Sequence, residues 1–424
     1  MSLSNLPREI LLEIGDYLDD MGTNSLVRTN SNVYYLLNEC LYRRDLKRCQ
    51  ISESTSLIWA IENGVEGTVQ RAVDACRCLN PIPEIFHMAL QFAAKQGHVH
   101  LVEMLLNVNG INSNFRGGWL QAAPILFAAK EGHSAIIKLL LSAVNIDPDV
   151  PDSEGSTPLM YACWGGHVSI VRQLLARDDV EVNLSNGSTT PLITAVKTGL
   201  VEVVESLLTR DDLKPNIVNN RGEHALGYAV FRGQVDIVKL LLDHPDIDLN
   251  LMARNGYTVL MLASEPDIVK LLLEQEGIEV NRQDSFGSTA LCQATFCGHS
   301  EIVQLLLERE DININLPNNL GETPLFWAVC HNSLELVDLL LKKDGIDPNP
   351  KVIDSGRTPL AHACYFGSST AIVRSLLSHP DTDPNAVDRN GVSILADFMD
   401  VRDIMADSLQ ADEIELLLRT AGAR

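Results

Sequence analysis

Apolar positions after residue 50 do not scatter; they return in blocks. Each block opens with an apolar pair and a small residue three positions on, as in Leu159 and Ala162, so both lie on one helical face. A polar break follows, at Gly166-His167. Then comes the i, i+1, i+4, i+5 stripe of Ile170, Val171, Leu174 and Leu175, which predicts a second buried helix. The block closes on a turn, Val180-Glu-Val-Asn183. The leading apolar residue recurs at positions 57, 90, 125, 159, 192, 226, 260, 291, 325, 360 and 395. A period near 34 residues predicts stacked helix pairs, none of which can bury its apolar face alone.

The residues at the joints fit that reading. In Gly155-Ser-Thr-Pro-Leu159, Gly321-Glu-Thr-Pro-Leu325 and Gly356-Arg-Thr-Pro-Leu360 the Gly suits a turn. Thr then caps a helix whose first position is Pro. Gly166 can end the first helix in the left-handed region. The seventh block is short: Ala263 runs through Ser-Glu-Pro into Ile268-Val269, and the Gly-His turn is missing. The first block (Leu57, Ala60, Gly64) and the last (Ile394, Leu395) are degenerate, as terminal caps should be.

Thr-Pro-Leu-x-x-Ala-x-x-x-Gly-His at this period resembles the ankyrin repeat. The resemblance covers roughly residues 52–424. It implies an all-α ankyrin-repeat solenoid of about ten to eleven repeats. The family usually has His after Thr-Pro-Leu; here Met160, Ile193, Gly227, Met261, Cys292, Phe326 and Ala361 fill that slot, so the hydrogen bond that His makes is replaced or absent.

Residues 1–50 do not fit the period. Leu6-Pro7-Arg8-Glu9-Ile10-Leu11-Leu12-Glu13-Ile14 through Leu18 predicts an amphipathic helix, with Ile10, Ile14 and Leu18 on one stripe. Shorter helices follow at Leu26-Val27 and Val33–Leu37. So small a module buries too little surface to be stable alone. The Leu-Pro-x-Glu-Ile-Leu run, with Leu26 and the Asn32–Leu37 segment, resembles an F-box. That resemblance implies docking on the SKP-family adaptor of a cullin-RING ligase, through Leu6, Pro7, Ile10, Leu11, Ile14, Leu18 and Leu26. The competing reading is a helical cap for the solenoid.

Charge narrows the partners. The net charge is −23, and residues 1–50 contribute −1 of it. So acidic an array repels phosphate backbones, which argues against nucleic acid. No stretch reaches 18 apolar residues, so no membrane span is expected. Nine Cys without a Cys-x-x-Cys read as reduced structural thiols in an intracellular protein, cytoplasmic or nuclear.

Candidate chemistry is sparse. No phosphate loop, His-Glu-x-x-His or Gly-x-Ser-x-Gly occurs, so no catalytic residues, metal or cofactor are expected and the chain reads as a non-enzyme. His98, His133, His167 and His299 share the Gly-His slot, and Asp147, Asp248, Asp347 and Asp383 recur at closing turns. The informative residues are those that vary within the repeat. In ankyrin proteins loop tips and the residues two and three after the repeat Ala line the concave surface. The second slot reads Lys95, Lys130, Trp164, Lys197, Phe231, Phe296, Cys330 and Tyr365, with Phe366 beside the last. Phe286 and Leu320 fall at loop tips, and Arg221 and Arg254 at earlier ones. Trp164, Phe231, Phe296, Tyr365, Phe366, Phe286, Leu320, Arg221 and Arg254 are therefore the candidate partner-binding residues. Partial burial of the rings against the next repeat is the alternative. Two functions compete: a substrate receptor for an SKP–cullin–F-box ligase, monomeric apart from its adaptor, or a scaffold or transcription coregulator using the array alone. The protein substrate is not encoded in any motif.

Overall fold

The computed structural model describes residues 56–76, 81–118, 120–402 and 408–424. The F-box reading, with Leu6, Pro7, Ile10, Leu11, Ile14, Leu18 and Leu26, lies outside the described residues. Among the described residues, eleven helix pairs follow the sequence period. Repeats one to five fall in a compact half ending at Leu213, and repeats six to eleven in a second half beginning at Lys214. Within each half the first helices pack on first helices and the second on second. Among the described residues there is no strand, only an isolated bridge between Val387 and Ser393.

Each pair is built as the joint residues require. In repeat four the first helix, Pro158–Gly165, is capped by Thr157, whose hydroxyl accepts from the Met160 N–H, and Gly166 closes it at φ 69°. Thr190, Thr258, Thr289, Thr323 and Thr358 cap their helices in the same way. Leu159, Ala162, Ile170, Val171 and Leu174 are buried. The slot that holds His in the family is filled by packing: Met160, Ile193, Cys292 and Phe326 are buried there. Repeat six rearranges it. His224 takes the cap position, its Nδ1 accepting from the Gly227 N–H, and its ring occupies the space a side chain at Gly227 would need.

The closing loops are sewn together by asparagine. Asn349 donates from Nδ2 to the Asp381 carbonyl (2.7 Å), and its Oδ1 accepts from the Asp383 N–H (2.8 Å). Asn114, Asn216, Asn250, Asn281, Asn315 and Asn385 make the same pair of hydrogen bonds to the next loop, and Asn183 likewise donates to the Asp212 carbonyl (2.7 Å). Asp149 stands where the series has Asn. Its Oδ2 accepts from the Glu181 N–H (2.8 Å), but Oδ1 is buried and has no donor. A carboxylate cannot make the donor half of the pair. Burial pushes its pKa up, with Asp147, Glu181 and Asp179 adding to the rise.

Repeat seven is the exception foreseen. Its first helix is the single turn Val259–Leu262; Ala263 is extended at ψ 123°, and Pro266 opens the second helix, Pro266–Leu273. Two of the recurrent histidines, His133 and His167, bond through Nε2 to the carbonyls of Lys95 and Lys130 in the preceding repeat.

Candidate functional site

The first helix of most repeats presents two positions around its buried Ala that are exposed or half-buried: the residue just before it (though Phe92 and Thr194 are buried there) and the residue two after it. In the N-terminal half the later position holds lysines that lie over the earlier ring of the next repeat. Lys95 Nζ is 5.9 Å from the Phe127 ring centroid, and Lys130 Nζ 5.4 Å from that of Tyr161. Burial, and a 2.6 Å hydrogen bond donated to Asp152, hold the Tyr161 hydroxyl up at about 12. Trp164 stands 61 % exposed and forms no ring contact among the described residues.

In the C-terminal half aromatic rings replace the lysines. Phe296 meets Trp327 edge-on at 4.7 Å between centroids and His331 at 5.6 Å. Phe326 meets His362 at 4.7 Å, His362 meets Phe366 at 4.4 Å, and Phe366 meets Tyr365 at 4.9 Å. One strip of rings thus runs through repeats eight, nine and ten. Phe296 remains 45 % and Phe366 63 % exposed. Phe231 is exposed but stands apart from the strip, because repeat seven has lost the slot between them.

Tyr365 departs from the expected free ring. The Arg357 guanidinium sits 3.6 Å from its centroid, and Arg357 is in turn held by Asp397 at 2.8 and 3.0 Å, so Tyr365 is half-buried. Its companion Phe366 carries the exposed surface instead.

The strip offers no chemistry of its own. Cys330 Sγ lies 3.3 Å from His362 Nε2. Burial, with Glu322 nearby, pushes the thiol up to about 12, while burial and Arg357 push the imidazole down to about 4. At neutral pH the pair is thiol and neutral imidazole, the opposite of an activated nucleophile. Among the described residues no group of His, Cys, Asp or Glu could hold a metal ion, and no helix is long and apolar enough to cross a membrane.

In the C-terminal half the loop tips of successive repeats are in backbone contact. The Asn319 N–H donates to the Phe286 carbonyl (2.8 Å), and the Ile353 N–H to the Leu320 carbonyl (2.8 Å). A Cβ on Gly222 would sit 2.9 Å from the Arg254 nitrogen, so the tips of repeats six and seven touch as well. Phe286, Leu320 and Ile353 are exposed there. Arg221 and Arg254 are exposed and form no ion pair among the described residues, whereas Arg282, Arg309, Arg357 and Arg374 are paired.

Sequence reasoning passed over Trp327, His331, His362 and Ile353. A signal for two of them existed. Trp327 and His362 directly precede the repeat Ala, a position that is also aromatic at Phe127, Tyr161 and Tyr228.

Stacked, capped helix pairs with outward-facing slots in each half define a repeat-built binding scaffold. Family comparison agrees. The profile described as ankyrin repeats (three copies) matches residues 57–152, 125–217, 192–284 and 260–352, and that of the single ankyrin repeat matches 355–389. The chain belongs to the ankyrin repeat family, whose repeats are protein–protein interaction modules and generally non-catalytic. No curated protein matches the chain. Among solved structures it is similar to EF0377, an ankyrin repeat protein, at 31 % identity over 44 % of this chain and 97 % of that one, with a TM-score of 0.42.

Proposed function

We propose that the chain is the substrate-recognition subunit of an SKP–cullin–F-box ubiquitin ligase. Residues 1–50 would be the adaptor-docking module and residues 52–424 the substrate-holding array. The observation that carries the ligase half is the Leu6–Leu18 run, with its Leu-Pro-x-Glu-Ile-Leu order and its four-residue stripe. The face of first helices and loop tips supports the array half. Every first helix from Ala225–Phe231 to Pro359–Tyr365 lacks Asp, Glu, Lys and Arg, in a chain whose net charge is −23. Such a face can be desolvated by a partner without stranding a charge. The chain itself does no covalent chemistry in this reading. It holds a substrate lysine near the ligase and raises its effective concentration.

Capture of an SKP-family adaptor by the full chain tests the proposal. Leu11→Asp or Ile14→Asp should abolish capture, since a carboxylate pressed into an apolar interface costs several kcal/mol, roughly a hundredfold or more in affinity. Array ligands should still bind. Absence of capture by the unmutated chain, or undiminished capture by both variants, would favour an ankyrin scaffold or transcription coregulator in which residues 1–50 are only a cap.

A further inference from the structure

The row of loop tips in the C-terminal half changes character along its length. Repeats six and seven contribute Arg221 and Arg254, on tips that touch. Repeats eight, nine and ten contribute Phe286, Leu320 and Ile353, tied in sequence by backbone hydrogen bonds. The ring strip from Phe296 to Phe366 lies along the first helices of the same three repeats. Residues 214–424 hold 31 acidic against 17 basic side chains. Two unpaired arginines on adjacent tips are therefore a local exception in an acidic field.

We infer that this face binds a linear segment of a protein partner, acidic at the end over repeats six and seven and apolar at the end over repeats eight to ten. The inference rests on the reading of the array as a protein-binding face and adds the chemistry and direction of what it holds. The charge pattern imposes the direction. Glu322 and the exposed Asp354 flank the apolar tips, where Lys351 donates to the Val387 carbonyl (2.8 Å). At the other end Arg221 and Arg254 form no ion pair among the described residues, and the neighbouring Glu223 accepts from the Asn219 amide (2.8 Å). An acidic residue is therefore attracted to the arginine end. The uncharged first helices accept apolar side chains without burying a carboxylate. Adjacent helices pack about 10 Å apart, so repeats six to ten span roughly 40 Å, about twelve residues of extended chain.

The test pans the full-length chain against a displayed library of random peptides of that length. Enriched peptides should carry acidic residues toward one end and Leu, Ile, Phe or Met toward the other. Arg221→Glu with Arg254→Glu should weaken the best peptide about tenfold or more, and a version with Lys in place of its acids should regain affinity for that variant. Phe296→Ala with Phe366→Ala should weaken it comparably while leaving the melting temperature nearly unchanged. No enrichment, enrichment without acidic residues, or affinity indifferent to the arginine reversal would overturn the inference. Adaptor capture is measured on the same variants and should be unaffected. Its failure alongside successful peptide selection would remove the ligase reading and leave this one standing.

Discussion

One repeat slot is mostly lysine in the N-terminal half, with the exposed Trp164 as the exception, and mostly aromatic in the C-terminal half, with Cys330 as the exception. In the N-terminal half, Lys95 and Lys130 lie over Phe127 and Tyr161, so the ring is covered and the outermost atom is an ammonium. In the C-terminal half Phe296 covers Trp327, and the outermost surface is another ring. Both arrangements shield the same junction between first helices. The packing demand on the slot is thus met by stem or ring alike, and the sign of the exposed tip is free to serve recognition. An array can carry two surfaces of opposite character on one unchanged scaffold.

The sharpest way to break this contrast is to remove the rings. Phe231→Ala with Phe296→Ala should weaken a C-terminal ligand by about 2–4 kcal/mol, the scale of aromatic hot spots, measured by titration calorimetry. The melting temperature should move little. A large fall in melting temperature with unaltered affinity would mean that the slots are core in both halves and the contrast is only decorative.

Next in size is a difference in local stability. Repeat seven, Asn255–Asn281, has a single-turn first helix and no Gly-His turn. Its amides should exchange about tenfold faster or more than those of repeats four and nine, because local opening in an array follows each repeat and its neighbours. Uniform protection along the stack would contradict this.

Asp149 gives a smaller effect confined to the N-terminal half. Its folded pKa is raised, so the ionised form destabilises the fold at neutral pH, and that penalty fades as pH falls through the raised value. Asp149→Asn completes the double hydrogen bond and should stabilise by about 1 kcal/mol at pH 7. The gain should shrink in melts run at successively lower pH. A variant no more stable than the parent at pH 7 would show that the buried Oδ1 carries no cost.

Smallest of all, Lys95→Ala and Lys130→Ala should each cost about 0.5 kcal/mol, the value of an exposed cation–π contact. Neither should change C-terminal ligand affinity. Calorimetry reading a loss there would show that the two surfaces act as one.

Much of the fold was legible because every joint is local. Thr157 caps Met160 three residues on, Gly166 needs only its own φ, and the deletion after Ala263 is visible as missing letters. Exposure of Trp164, Phe231 and Phe296 could be anticipated for the same reason: register alone says which slot faces outward. Pairings between repeats were not legible. Tyr365 is covered because Arg357 is anchored by Asp397, 40 residues beyond it, and no periodicity announces that bond. The strip through Trp327 and His362 depends on a slot whose residues differ from repeat to repeat, so a consensus hides it. Asp149 differs from its asparagine counterparts by one atom's hydrogen-bonding sense, and only geometry shows that the atom is buried.

The missing turn of repeat seven sets a cadence for whatever the C-terminal half holds. Phe231 and Phe296 are separated by a repeat with no side chain in the corresponding slot. A ligand that offers a contact at every repeat would find one beat silent. A rigid periodic partner, such as a long straight helix, would forfeit a contact there. A chain that can take one longer stride would not. If the array holds an extended segment as inferred above, the deletion would act as a filter on rhythm, favouring irregular extended segments over regular ones before any particular side chain is read.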